Sequence, residues 1–156
     1  MTEPSAEDVR KNSMAVLASA HTVYVETTRD CCGEAGLEAI AVANVEHGRE
    51  LGEEGVAQGG LRRGDLKSIY EFFVAGYPYF GFEVEIGELT DKRLDLKVTS
   101  CPWIDTFRAK GASEDICYWV TKIDEGIGHA VDQDLKMTLP MCMMRGDEYC
   151  IYRYER

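Results

Sequence analysis

Two alternating runs lying close together in sequence determine what this chain can become. Phe80, Phe82, Val84 and Ile86 alternate with Gly81, Glu83, Glu85 and Gly87, and Leu94, Leu96 and Val98 alternate with Asp95, Lys97 and Thr99. A period of two marks strands with one buried face. The turn Leu89-Thr90-Asp91-Lys92 between them predicts an antiparallel hairpin. Its apolar face needs a cover. Its other face, with Glu83, Glu85, Asp95, Lys97 and Thr99, reads as solvated and laced by cross-strand charge pairs.

The cover is helical. In residues 5–30, Met14, Leu17, Ala18, His21, Val25 and Thr28 recur at helical spacing, and Gly33 after Cys31-Cys32 suits a helix end. Residues 34–52 carry a second stripe of Leu37, Ile40, Ala41, Gly48 and Leu51, in which Ala41 and Gly48 permit close helix approach. Asn44 interrupts that stripe and, once buried, needs a hydrogen-bond partner. The glycine-rich stretch 52–64 lacks the GxxxxGK[ST] phosphate pattern and reads as a mobile loop, with a lid role left open. Asp65 caps a third helix with Leu66, Ile69, Tyr70 and Phe73 inward, stopped by Gly76 and Pro78.

Beyond the hairpin, residues 102–110 form a short helix, and Ser113-Glu114-Asp115 starts another with the stripe Ile116, Val120, Ile123, Ile127. Leu135, Met137 and Leu139 mark a third strand, and residues 149–154 the last one, after an Arg145-Gly146-Asp147 turn. The pattern is α+β in one domain of residues 1–156. Residues 1–78 are mainly helical, and 79–156 form an antiparallel sheet of about four strands with two crossing helices.

Charge narrows the partners. With 17 basic and 28 acidic residues the formal charge is -11, a field that repels phosphate backbones and anionic lipid surfaces. Nucleic acid and membrane are therefore not expected, whereas a small-molecule substrate and a homo-oligomer are compatible. No run approaches the roughly 20 apolar residues of a transmembrane helix. The polar, acidic start MTEPSAEDVRK is unlike a signal peptide, so the expected location is cytoplasmic and the six cysteines are expected reduced.

Four of those residues can converge. Cys101 stands between a strand and Pro102, where an N-cap thiol would face free backbone N–H groups and the helix dipole, which favour thiolate. Cys117 and Asp124 lie seven residues apart on the flank of a helix stripe, and Cys150 falls on the last strand. Three chemistries fit. Cys101 can act as a nucleophile, with Asp124 or His129 moving protons. Cys101, Cys117 and Cys150 can hold zinc or another soft metal, with Asp124 as a fourth ligand. Or the thiols simply pack. The run Met141-Cys142-Met143-Met144 suits a pocket wall or, less readily, Cu(I).

The segments SCPWIDTF and ICYWVTKIDEGIGHAVDQDLKMTLPMCMMRGDEYCIYRY carry a further signal. They combine Cys-Pro after a strand, a Cys seven residues before Asp-Glu-Gly, a strand ending in Pro, and Gly-Asp-x-x-Cys. This pattern resembles the L-2-amino-thiazoline-4-carboxylate hydrolase-like family over about the last 60 residues. The resemblance implies hydrolysis of a cyclic amidine C–N bond, opening a thiazoline ring to a carbamoyl-cysteine. It implies catalytic cysteines at Cys101, Cys117 and Cys150, with Asp124 and Asp147 as the matching acids. Trp103, Tyr118, Thr121, His129 and Asp147 are the candidate substrate contacts, and no cofactor is required. The methionine-rich run and Trp119 depart from the pattern. The alternative is a sensor that binds a small molecule or metal in the same pocket without turnover.

Overall fold

The computed structural model describes residues 3–156. Helix α1 (Ala6–Ala57) starts at Ser5, whose side chain accepts the Asp8 amide while Asp8 returns a bond to the Ser5 backbone. Gly33, at φ 62° and ψ −154°, breaks α1 into two helices. A side chain would make that backbone costly, which is why the break falls on this glycine. Immediately before it, the sulfurs of Cys31 and Cys32 lie against each other as a vicinal pair.

The second half of α1 runs to Ala57, so residues 52–57 are helix rather than mobile loop. Gly52 and Gly55 are buried contact points, and Leu61 in the following turn is buried as well. The glycines there allow close packing, so residues 52–57 are held as helix. Asn44 Nδ2 donates to the Trp119 carbonyl at 3.0 Å, which supplies the partner its burial demands.

Helix α2 (Leu66–Phe80) is capped by Asp65, which accepts from the Lys67 amide. It passes through Gly76 and Pro78 and stops only at Gly81, at φ 92°. Proline removes one backbone donor, and three residues from the end that loss is small. Phe80 is therefore the last helical residue and half exposed, not the first residue of a strand.

Strands β1 (Glu83–Leu89), β2 (Arg93–Ser100), β3 (Lys136–Met141) and β4 (Cys150–Glu155) form one antiparallel sheet in the order β1-β2-β4-β3. β1 is a largely exposed edge, whereas Leu94, Leu96 and Val98 of β2 are fully buried. Asp95 on the face expected to be solvated is buried too. Both its oxygens accept from Arg153 on the neighbouring strand, at 2.8 and 2.7 Å. Lys97 and Glu85 do pair across the exposed part of that face.

Helix α3 (Ile104–Ala109) begins two residues later than its proline suggests, with Trp103 rather than Cys101 at the N-cap. The helix expected from Ser113 onward divides at Thr121 into α4 (Ile116–Val120) and α5 (Lys122–Val131). Thr121 Oγ1 donates back to the Cys117 carbonyl at 2.7 Å, a bond that competes with the helix ladder. Phe73, Phe107, Ile116 and Tyr154 fill the space between helices and sheet. No helix among the described residues is long and apolar enough to cross a membrane.

Candidate functional site

The second half of α1 and α5 cross at backbone contact. A Cβ on Gly48 would lie 1.9 Å from the Ile123 carbonyl oxygen, and one on Gly126 would lie 2.0 Å from that of Val45. This crossing holds α5 so that Asp124 turns into the interior, where it is 6% exposed. Helix α2 supplies the facing side. Leu66, Ile69 and Phe73 form its buried stripe, and Tyr77 follows one turn later. The Tyr77 hydroxyl donates to Asp124 Oδ1 at 2.9 Å, and the Tyr154 hydroxyl donates to the Asp124 carbonyl at 3.0 Å. Burial raises the Asp124 carboxyl from 3.8 to about 7, and the Tyr77 bond only partly opposes that rise.

Asp124 lies in the wall of a cavity of about 550 Å³. Most of that wall is aliphatic or aromatic, with Phe72, Phe73, Phe82 and Trp103 prominent and Met14 and Leu17 arriving from α1. The polar residues of the wall are Asp124, Thr121, Tyr77 and Tyr152, and the Trp103 indole N–H is buried without a hydrogen-bond partner among the described residues. Asp124 is the one charged residue in the wall.

The thiols lie elsewhere. None of them lines this cavity. Cys117 on α4, Cys142 before the 3₁₀ turn Met143–Arg145, and Cys150 opposite Val98 at the start of β4 are all buried. The Met143 amide donates to Cys150 Sγ at 3.3 Å. The Cys117 and Cys150 thiols donate to Cys142 Sγ, which lowers the pKa of Cys142 and raises those of its two donors. Cys101 is partly exposed and sits in a different cleft with Arg10, Lys11 and Asp105. Cys101 is not the N-cap, yet the Trp103 and Ile104 amides lie near enough to its sulfur to favour the thiolate. Burial outweighs them, however, and pushes the thiol from 9.0 up to about 11. A six-residue helix adds little dipole to counter that.

Of the other candidate contacts, Thr121 and Trp103 line the cavity. Tyr118 and His129 line a separate surface groove beside Glu38, Glu46 and Lys122, and His129 Nε2 donates to the Leu135 carbonyl at 2.9 Å. Asp147 Oδ2 accepts the Cys142 amide at 2.7 Å and so holds the loop between β3 and β4. The proton carriers considered for Cys101 are thus engaged with other partners. Among the described residues no group of three or more His, Cys, Asp or Glu side chains has the arrangement to hold a metal ion.

Two residues escaped sequence reasoning. Tyr77 continues the stripe of Leu66, Ile69 and Phe73, a signal hidden by reading Gly76 and Pro78 as a helix stop. Cys142, placed within a methionine run, turns out to be the acceptor at the centre of the thiol cluster, and nothing local in sequence marks that role.

Comparison with known proteins adds three findings. A family model described as L-2-amino-thiazoline-4-carboxylic acid hydrolase matches residues 11–154. No curated protein matches. The chain is similar in fold to a trafficking protein particle complex subunit 3 from Naegleria fowleri, solved covalently bound to palmitic acid. The TM-score is 0.62 at 16% identity, over 93% of this chain and 95% of that one. At that identity the likeness shows the fold alone.

Proposed function

Because its residues 11–154 match the family model, the chain belongs to the L-2-amino-thiazoline-4-carboxylic acid hydrolase family, and we propose that it hydrolyses an amidine-type C–N bond with Asp124 as the general acid–base. One observation carries this reading: a carboxyl tuned to about 7 in the wall of an apolar cavity of about 550 Å³. A proton carrier works best when its pKa lies near the working pH. In the ionised state Asp124 takes a proton from water as its oxygen bonds to the amidine carbon. The same proton then goes to the departing nitrogen as the C–N bond breaks, and the hydroxyl proton on carbon passes to Asp124 as the carbonyl forms, leaving an amide-type product and an amine, which then takes that proton. Attack on a protonated amidine gives a neutral tetrahedral carbon. Such a step needs no cluster of cations around a developing oxyanion, and the cavity wall has none.

The family resemblance points first to the cysteines, in particular to Cys101, Cys117 and Cys150. A thiol at about 11 and thiols buried away from the cavity support a structural role for them instead. Ring opening of 2-amino-2-thiazoline, followed by mass spectrometry, separates the two. Asp124→Asn should lower turnover by about 100-fold or more while the variant still melts cooperatively. A Cys101→Ser variant that loses activity beside a fully active Asp124→Asn would overturn the reading.

A second reading is capture without turnover. The apolar wall favours it, as does the palmitic acid held covalently by the similar fold of the Naegleria protein. Binding without any ring opening, across a panel of cyclic amidines, would select it.

A further inference from the structure

We infer that the cavity selects a ligand with an apolar body and a neutral or cationic nitrogenous head, and rejects one carrying a carboxylate. The inference names the substrate class of the site just described, and so rests on Asp124 being its polar anchor.

The wall decides the matter by what it can offer a head group. No Lys, Arg or His lines the cavity. Lys122, the cation nearest in sequence, is bound to Glu125 and lies over the Tyr118 ring in the separate groove. Arg10 and Lys11 belong to the cleft of Cys101. A carboxylate entering the cavity would be partly desolvated beside Asp124 with no countercharge, and two carboxylates sharing an apolar site repel each other. An amidine, amine or amide meets the opposite situation. Its N–H groups can donate to Asp124 Oδ2, because Tyr77 engages Oδ1. The Thr121 hydroxyl is not free for a ligand, since Thr121 Oγ1 already donates to the Cys117 carbonyl.

The body of the ligand meets rings. Phe72, Phe73, Phe80, Phe82, Trp103 and Tyr152 contribute to the wall, which rewards an alkyl or aryl group and tolerates a cation against an aromatic face. A cavity of about 550 Å³ lies within the range of drug-sized ligand sites and is roomy for a five-membered ring alone. The ring carboxylate in the substrate for which the family is named therefore finds no partner here. This chain is built for a decarboxylated or amide-masked relative with a larger apolar substituent.

Matched eight-carbon ligands test the inference. Octanamidine, octanamide and octanoate are titrated into the full-length protein at pH 8 and pH 6 by calorimetry. At pH 8 octanamidine should bind at least tenfold more tightly than octanoate, with octanamide between them. At pH 6 protonation of Asp124 should narrow that gap, and Asp124→Asn should abolish it. Octanoate binding as tightly as octanamidine would overturn the inference, and so would failure of all three to bind. Turnover is read separately, with 2-amino-2-thiazoline and its 4-carboxylate. Equal turnover of the two would overturn the inference and keep the hydrolase. The expected binding order with no turnover of either would keep the inference and remove the hydrolase.

Discussion

The cavity beside α5 and the thiol cluster at the ends of β2 and β4 are both largely apolar in their surroundings, and both carry titratable groups. Burial acts on them in the same chemical direction, favouring the neutral form. The consequences differ because the starting points differ. A carboxyl raised from 3.8 to about 7 arrives at neutral pH, where it can both take and return a proton. A thiol raised from 9.0 to about 11 moves away from neutral pH and loses thiolate. One physical effect thus prepares Asp124 for chemistry and withdraws Cys101 from it. The cavity also offers a small molecule space, which the cluster around Cys142 does not.

The largest expected effect breaks or keeps this contrast outright. Asp124→Asn should cost about 100-fold to 10,000-fold in turnover, whereas Cys101→Ser should stay within about threefold of wild type, measured as ring opening at pH 7.5. Next comes thiol reactivity. At pH 8 the native protein should react with iodoacetamide at Cys101 about 100-fold more slowly than the unfolded chain does, because the thiolate fraction falls with the raised pKa. Labelling that follows an ordinary thiol near 8.5 would show that its backbone donors outweigh burial after all.

How far the sequence foretold these two regions depends on the range of the interactions that build them. The hairpin, the break at Gly33 and the four strands follow from local rules: alternation, turn chemistry and backbone freedom. Gly52 and Gly55 were misread as loop because a glycine in a flexible segment and a glycine under a crossing helix look alike until the crossing partner is known. Pro78 misled for a related reason, since its cost depends on how much helix remains after it. Asp124 was legible as a candidate from its helix phase, but its partner Tyr77 lies 47 residues away. Its tuning comes from desolvation, which no local pattern records. The thiol cluster joins residues from three separate segments, and only the packed fold reveals Cys142 at its centre.

The helix crossing gives a third, smaller test of the cavity side. In Gly126→Ala the new methyl would sit 2.0 Å from the Val45 carbonyl oxygen, a backbone atom that cannot swing aside. The helices must separate, at a cost of about 2–3 kcal/mol in denaturant unfolding, and Asp124 should move with α5. Ala at Gly111, which has open space around it but φ of 68°, should cost about 1 kcal/mol and leave turnover unchanged. Equal losses of turnover in both variants would mean that the crossing does not position the carboxyl.

The smallest effect is the most diagnostic of the Asp124 environment. Tyr77→Phe removes one hydroxyl and retains the ring that packs against Phe73 and Phe82 at centroid distances of 4.6 and 4.8 Å. That hydroxyl stabilises the ionised carboxylate, so its loss should raise the Asp124 pKa further above about 7. The rising limb of the pH–rate profile should move up by about half a unit to one unit, with turnover at pH 9 nearly unchanged. Stability should respond in the same sense. A carboxyl whose folded pKa exceeds its unfolded value of 3.8 holds its proton more tightly when folded. Its contribution is complete below about pH 4 and lost as pH rises through about 7. In Tyr77→Phe that loss should extend to higher pH, and in Asp124→Asn it should vanish, as thermal melts between pH 4 and pH 9 would show. A limb that stays in place in Tyr77→Phe but disappears in Asp124→Asn would assign the proton to Asp124 and confine the Tyr77 hydroxyl to packing.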